Sequence, residues 1–294
     1  MATMRSLLFI PADSEKKLAK GDAIPADVLI LDLEDSVAPE NKATARQMAC
    51  DYLLERPDNR QQQIWVRINP LDNPAAGADL AAVMLARPDG IVLPKARSAD
   101  DVILLGNRIG TYEIEHEIES NSTRILPVAT ETAASLFTLG DYRRTGQRLA
   151  GLTWGAEDLS AAIGATANKD ASGRWTAPFE LARSLCLFGA HAAGVRAIDT
   201  LYSDFRDAEG LRASCEEARR DGFSGKLAIH PGQVEIINRA FSPSEEEVEQ
   251  ARRIVALFEE NPGVGALSLD GRMVDLPHLT QARKILAAAR PRED

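Results

Sequence analysis

Two carboxylates in this chain lie where an apolar run passes into a helical pattern. Glu131 does so in PVATETAAS and Asp158 in WGAEDLSAA. Each alone fits a helix cap, a role worth ~1 kcal/mol. Together, with no Cys or His beside them, they resemble the oxygen ligands of a hard divalent cation. Magnesium commonly takes one or two protein carboxylates, whereas zinc prefers His and Cys, so the pattern indicates Mg²⁺.

A cation, Arg67, ends another apolar run in IWVRINP. In an extended strand, Trp65, Arg67 and Asn69 share one face, while Val66 and Ile68 share the other. If the apolar pair faces covering helices, Arg67 points the opposite way. It would then either bind the carboxylate of a ligand or neutralise an interior carboxylate, since guanidinium geometry suits both.

Other polar residues give weaker indications. Lys16 and Lys20 are four apart and share a helical face, which suits either solvent exposure or a polyphosphate ligand. His230 precedes Pro231, which indicates a fixed turn. The sequence shows no Ser–His–acid spacing, Walker motif or Rossmann fingerprint. Lys95 fits a pyridoxal phosphate site by its position alone.

The elements that must position these residues alternate between strand and helix patterns. The predicted strands are Ser6–Pro11, Val28–Asp32, Ile64–Asn69, Gly90–Pro94, Ile125–Thr130, Leu149–Gly155, Ala197–Tyr202 and Lys226–His230. The predicted helices between and after them are Asn41–Glu55, Ala75–Ala86, Ala99–Ile109, Thr132–Leu139, Ala177–Ala193, Ala208–Asp221 and Gln233–Arg239.

Eight alternating units favour an α/β fold, a closed (β/α)₈ TIM barrel over residues 1–240, whose chemistry gathers at the carboxyl ends of the strands. An open doubly wound sheet is the alternative, but the first turn reads FIPADSEKK and is not glycine-rich. Residues 241–294 are predicted to form a C-terminal helical extension. It contains a helix, Ser244–Glu259, that Ser244 and Glu247 begin as a capping box, then a mobile loop, Asn261–Asp275, and a last helix, Pro277–Ala289.

Composition excludes several classes of protein. The 294 residues include 34 basic and 44 acidic side chains, a net charge of −10 that disfavours nucleic-acid binding. No apolar run reaches the ~20 residues of a membrane span, and Asp13 interrupts any leader core. Three widely spaced cysteines exclude a disulfide scaffold. We therefore expect a soluble cytoplasmic protein.

An ordered set of motifs along nearly the whole chain resembles the citrate lyase β-subunit-like family, which includes malyl-CoA and citramalyl-CoA lyases. The motifs are RSLLFIPADSEKKLAK, LILDLEDSVAPENK, WVRIN, GIVLPKA, PVATET, WGAEDLSAAIGA, AIDTLYSDFRD, GFSGKLAIHPGQ, FSPSEEEVEQA and DGRMVDLPHL. The family is built on a (β/α)₈ barrel, which agrees with the fold predicted from periodicity.

The resemblance implies a role for each matching residue. Glu131 and Asp158 would bind Mg²⁺, and Arg67 would hold the oxyanion or carboxylate of the substrate. Glu34 and Asp35 would orient metal-bound water. The residues expected to contact CoA or substrate are Phe9, Lys16, Lys20, Arg67, Glu131, Ile229 and His230.

Asp275, in RMVDLP, matches the acid–base aspartate that this family contributes across a subunit boundary. Taken alone, it also fits a cap before Pro277 at a first helical position. The resemblance implies a homo-oligomer, a trimer being favoured, with the extension packed on a neighbouring subunit.

The reaction that the resemblance implies is the reversible cleavage of citramalyl-CoA or malyl-CoA to acetyl-CoA and a 2-keto acid, pyruvate or glyoxylate. Three alternatives stay open. These are a citryl-thioester lyase that works with an acyl-carrier protein, a metal-dependent aldolase acting on a free 2-keto acid, and a non-catalytic CoA-binding scaffold.

Overall fold

Eight parallel strands form a single sheet in the computed structural model, which describes residues 3–56 and 62–289. The strands are β1 (Ser6–Pro11), β2 (Val28–Asp32), β3 (Gln63–Arg67), β4 (Gly90–Leu93), β5 (Arg124–Pro127), β6 (Gly151–Thr153), β7 (Arg196–Asp199) and β8 (Gly225–Ala228). Their spatial order is β5-β4-β3-β2-β1-β8-β7-β6. The edge strands β5 and β6 meet through two isolated parallel bridges, Ile125 to Leu149 and Val128 to Thr153. This closes the ring and confirms the predicted barrel.

Helices alternate with the strands and cover the outside of the ring, and the last two, α9 and α10, pack on each other in the C-terminal segment. They are α1 (Glu15–Leu18), α2 (Lys42–Leu54), α3 (Ala75–Met84), α4 (Ala99–Glu115), α5 (Ala156–Ile163), α6 (Ala177–Ala192), α7 (Ala208–Asp221), α8 (Pro231–Phe241), α9 (Glu245–Glu260) and α10 (Leu276–Ala289). Among the described residues, every helix is too short or too polar to span a lipid bilayer.

The strands separate two apolar cores because successive side chains point to opposite faces. One core, inside the ring, contains Leu7, Ile30 and Trp65. The other lies between strands and helices and contains Val66 and Ile68. Arg67 shares the face of Trp65, as predicted, and is therefore carried into the carboxyl-end opening of the barrel, which we call the mouth.

The predicted helix Thr132–Leu139 is wrong. The segment instead forms two 3₁₀ turns, Ala134–Phe137 and Leu139–Arg144. The Ser135 hydroxyl donates to the Thr132 carbonyl at 2.7 Å, and the Thr138 hydroxyl donates to the Ser135 carbonyl at 2.9 Å. These bonds compete with the backbone bonds of an α-helix. Several predicted strands also extend past the observed ends, because the chain leaves the sheet there to enter the mouth.

The predicted mobile loop Asn261–Asp275 is also wrong in part, because it contains a hairpin of β9 (Ala266–Leu269) and β10 (Arg272–Asp275). Asp270 and Gly271 form its turn with φ angles of 50° and 76°, the conformation that an Asp-Gly turn supplies. Val274 packs with Phe258 of α9 and Leu279 of α10 in a small separate core. The predicted capping box is confirmed, since Ser244 and Glu247 bond reciprocally at the start of α9.

Candidate active site

Arg67 is fixed at the mouth by the strand beside it. Asp32 and Arg67 are register partners at the ends of β2 and β3. The guanidinium donates Nε and Nη2 to the two Asp32 oxygens at 2.7 and 2.6 Å. Its Cζ lies 4.7 Å from the centre of the Phe9 ring. Burial would raise the pKa of Asp32, but Arg67 holds it below its usual value. Arg67 therefore neutralises an interior carboxylate, and its remaining surface faces the mouth.

Glu34 connects this pair to a second cation. Its side chain is only 4% exposed, with Oε2 at 3.0 Å from Arg67 Nη1 and Oε1 at 2.5 Å from Lys95 Nζ. Burial raises the pKa of Glu34 even though two cations oppose the shift. Asp35 is more exposed and lies 3.6 Å from Lys95 Nζ and 4.0 Å from Arg67 Nη1.

Glu131 and Asp158 meet at the same lysine. Glu131 is buried and accepts a hydrogen bond from the main-chain N–H of Lys95. Asp158, in the first turn of α5, lies 3.3 Å from Lys95 Nζ. Burial raises the pKa of Glu131 to about 8, and the nearby charges of Asp158 and Glu34 add to the rise. The two predicted metal ligands thus converge, although they follow different strands.

Gly155 provides the space for Glu131. A Cβ at position 155 would lie 2.9 Å from Glu131 Cγ, closer than such atoms approach, so only glycine leaves the carboxylate its position. The Gly155 φ of −118° is open to any residue, which makes close approach, and not backbone conformation, the reason for glycine here.

The chemistry of this cluster fits a hard divalent cation. Five carboxylates, Asp32, Glu34, Asp35, Glu131 and Asp158, surround two cations, Arg67 and Lys95, so negative charge is in excess. No group of three or more His, Cys, Asp or Glu that could hold a metal is found in the described part of the chain. Glu131 and Asp158 would supply two ligands, which suits Mg²⁺ because it keeps several water or substrate ligands.

The predicted CoA contacts lie on neighbouring loops of the barrel. Lys16 and Lys20 are exposed; Lys16 lies within the short helix α1, and Lys20 lies two residues after its end. Ile229 and His230 follow β8, the strand next to β1. Their main-chain N–H groups donate to Gln233 Oε1 at 2.9 and 3.2 Å. The His230 side chain remains exposed and stacks on the Phe205 ring at 4.8 Å.

Within residues 3–56 and 62–289, no contact of Asp275 reaches the mouth of its own barrel. Asp275 ends β10, and its Oδ1 lies 2.5 Å from His278 Nδ1. This hydrogen bond lowers the pKa of Asp275. The flanking side chains of Met273 and Leu276 are 67% and 55% exposed. Asp275 therefore lies on an exposed, partly apolar surface of the C-terminal segment.

The sequence indicates no metal or substrate role for two members of the cluster, Asp32 and Lys95, although Lys95 fits a pyridoxal phosphate site by position. The strand-end position of Lys95 was visible, but its contacts with four carboxylates were not. Lys95 adopts a φ of 52°, a backbone conformation that residues other than glycine rarely adopt. This left-handed conformation, two residues after the end of the buried strand β4, is the local feature that accompanies the contacts of Lys95 with the carboxylates.

The chain is similar to known proteins over most of its length. The family model described as HpcH/HpaI aldolase/citrate lyase matches residues 5–231. A (3S)-malyl-CoA thioesterase from Cereibacter sphaeroides is 36% identical, over 97% of this chain and 94% of its own. Mitochondrial citramalyl-CoA lyase from Rattus norvegicus is 34% identical, over 97% of this chain and 86% of its own.

A solved structure is also similar over its whole length. It is that of protein CitE from Mycobacterium tuberculosis in complex with magnesium, acetoacetate and coenzyme A. This chain is 34% identical to it with a TM-score of 0.78, over 98% of both chains.

Proposed function

The chain belongs to the HpcH/HpaI aldolase/citrate lyase family, and from that premise we propose that this carbon–carbon lyase uses Mg²⁺ to cleave a 3-hydroxyacyl-CoA of the citramalyl or malyl type. The products would be acetyl-CoA and pyruvate or glyoxylate. One observation carries the proposal: Glu131 and Asp158 converge on one lysine in the same mouth as Arg67. The relatives with CoA-ester names and the neighbour bound to magnesium and coenzyme A support it.

The residues of the mouth divide the chemical work. Glu131 and Asp158 would hold Mg²⁺, with Glu34 and Asp35 orienting bound water. When bound, Mg²⁺ supplies Lewis-acid polarisation of the keto oxygen and the adjoining carboxylate. Arg67 stabilises charge that develops on the same oxygen, because its guanidinium is already oriented by Asp32 and Phe9.

Cleavage leaves an electron pair that must be protonated. The substrate hydroxyl loses its proton to water in the mouth, which passes it to solvent. The carbon–carbon bond breaks, and its electron pair passes to the thioester as an enolate. In the proposal, the mouth of a second copy buries Asp275, which raises the pKa of a carboxyl and lets it hold the proton that it gives to the enolate carbon. In the condensation direction Asp275 removes the same proton. Because Asp275 lies on the exposed C-terminal segment, a second copy of the chain would supply it, which requires an oligomer such as a trimer. Lys16, Lys20, Phe9 and the Ile229–His230 loop would line the CoA side of the mouth.

The test measures each product separately. The purified protein is incubated with Mg²⁺ and citramalyl-CoA or malyl-CoA, and acetyl-CoA, free CoA thiol and keto acid are quantified. The lyase proposal expects acetyl-CoA and keto acid in equal amounts, with loss of turnover when EDTA is added.

Other product patterns would contradict the proposal. Free CoA without keto acid would indicate thioester hydrolysis, the activity in the name of one relative. Turnover only of citryl thioesters or of free hydroxy acids would indicate the citryl-thioester lyase or the aldolase. Binding of CoA with no product would indicate a scaffold.

A further inference from the structure

Lys95 contacts both proposed magnesium ligands, through different parts of the residue. Its main-chain N–H donates to Glu131, while its ammonium lies 3.3 Å from Asp158. The same ammonium lies 2.5 Å from Glu34 Oε1 and 3.6 Å from Asp35 Oδ2. Lys95 therefore connects Glu34, the partner of Arg67, to the two proposed magnesium ligands.

The backbone of Lys95 explains how one residue reaches both sides. A φ of 52° turns the chain sharply after β4 and aims the N–H at Glu131, while the side chain extends toward Glu34 and Asp158. Glycine adopts this conformation without steric cost, whereas lysine does not. The presence of lysine at this position indicates that the ammonium has a use.

We propose that Lys95 is a positioning residue that sets the affinity of the mouth for its divalent cation. Its ammonium contacts Asp158 when no divalent cation is bound. Its main-chain N–H fixes Glu131 both with and without the cation. The inference rests on the magnesium site of the proposed function.

Electrostatics gives the direction of the effect. A divalent cation bound between Glu131 and Asp158 must displace the Lys95 ammonium from Asp158 and then repel it at short range. The ammonium keeps a partner, because Glu34 already accepts from it. Lys95 thus weakens cation binding, which keeps the ion exchangeable, while it neutralises the carboxylates before the ion binds.

The test measures cation binding directly, with Mn²⁺ as the probe and electron paramagnetic resonance or calorimetry as the readout. Lys95→Met and Lys95→Gly remove the ammonium, and Lys95→Gly also keeps the N–H in an unstrained left-handed turn. Both variants should bind Mn²⁺ about tenfold more tightly than the wild type. Lys95→Arg keeps the charge and should stay within about threefold of the wild type. A thermal melt of each variant checks folding.

The control and the outcomes separate this inference from the proposed function. Lys17→Met removes the same charge from the exposed helix α1 and should leave Mn²⁺ affinity unchanged. If the wild type binds Mn²⁺ but folded Lys95→Met and Lys95→Gly bind it equally or more weakly, the ammonium does not compete and the inference fails. If the wild type binds no Mn²⁺, the proposed magnesium site itself fails.

Discussion

At the scale of single residues, the planar guanidinium group of Arg67 is held in one orientation in the mouth. Two of its nitrogens bond to Asp32, and a third lies 3.0 Å from Glu34, so the guanidinium cannot rotate freely. A lysine at this position would present a single point charge and would lose the bidentate contact.

We therefore expect Arg67→Lys to lower kcat/KM for the CoA thioester by about 10²- to 10³-fold, similar to the loss of one oxyanion-stabilising donor. Steady-state kinetics at saturating Mg²⁺ measures this. Arg97→Lys is a matched control, because Arg97 is largely exposed and pairs with Asp101, not with the carboxylates around Arg67 and Lys95. Equal activity of Arg67→Lys and the wild type would remove Arg67 from the chemistry.

Strand alternation and the positions of strand ends were enough to predict from the sequence which side chains reach the mouth. Arg67 faces the mouth because Val66 faces the helices, and Glu131 and Asp158 follow strands that the ring brings together. The role of Lys95 was not predictable, since it depends on a left-handed turn and on the distances that ring closure sets between separate strands. Periodicity carries neither kind of information.

At the scale of elements, the junction between β6 and α5 limits what can be accommodated beside Glu131. Gly155→Ala would place a methyl group 2.9 Å from Glu131 Cγ. We expect the carboxylate to shift and the affinity for Mn²⁺ to fall, without loss of the folded state, because the backbone there suits alanine. Gly77→Ala on α3, where a Cβ meets nothing within 4 Å, is the control. Unchanged Mn²⁺ binding in Gly155→Ala would contradict this account of the glycine.

A buried ion pair connects β7 and β8 on the helix-facing side of the barrel. Lys226 Nζ lies 2.5 Å from Asp199 Oδ2, both side chains are nearly inaccessible, and Trp154 donates to the other Asp199 oxygen at 2.8 Å. Burial would raise the pKa of Asp199, but Lys226 and Arg183 hold it below its usual value.

Asp199→Asn leaves Lys226 buried without its counter-charge, so we expect the free energy of unfolding to fall by about 3–5 kcal/mol. Asp199→Asn combined with Lys226→Met should cost markedly less, since no charge is stranded. Urea unfolding at neutral pH measures both. If the double variant is as unstable as Asp199→Asn, the loss of stability comes from losing the ion pair itself and not from leaving the lysine unpaired.

The pair also predicts an acid-side pH dependence. Because the folded-state pKa of Asp199 is lowered, the unfolded chain takes up the proton first as pH falls. The stabilisation is therefore complete above the unfolded pKa and is lost as pH falls through the folded one. The difference in unfolding free energy between the wild type and the double variant should shrink between about pH 5 and pH 3. A difference independent of pH would contradict this assignment.

Elements with regular patterns were predicted well, and the errors have local causes. The helix expected at Thr132–Leu139 failed because hydroxyls bond to the backbone there. The hairpin of β9 and β10 was missed although Asp270-Gly271 is a turn signal, because glycines and a proline around it indicated a loop.

At the scale of the whole molecule, the proposed mechanism takes Asp275 from a second chain, because the contacts of Asp275 in the described residues do not reach the mouth. Asp275 lies on the C-terminal segment among exposed apolar side chains, with His278 as its contact. Asp275→Asn should lower kcat by about 10²- to 10⁴-fold, as expected for loss of a general acid.

Mixing two inactive variants tests whether Asp275 acts in a second copy. The Asp275→Asn and Arg67→Ala proteins are unfolded and refolded together or co-expressed. Hybrid sites that take Arg67 from one chain and Asp275 from another should restore about a quarter of wild-type activity if subunits assemble at random. Each chain alone carries one defect, so absence of recovery in confirmed hybrids would place Asp275 and Arg67 in the same chain.

The way the ring closes has a consequence for local opening of the barrel between β5 and β6. β5 and β6 meet only through isolated bridges, and Glu131 and Asp158 extend from just beyond those two strands. An ion shared by the two acids would span a joint that has isolated bridges in place of a continuous ladder, so bound ion should slow the opening of that joint. Amide hydrogen exchange at Ile125, Ala129 and Ala150, whose N–H groups bond across this joint, should become slower when Mg²⁺ is added.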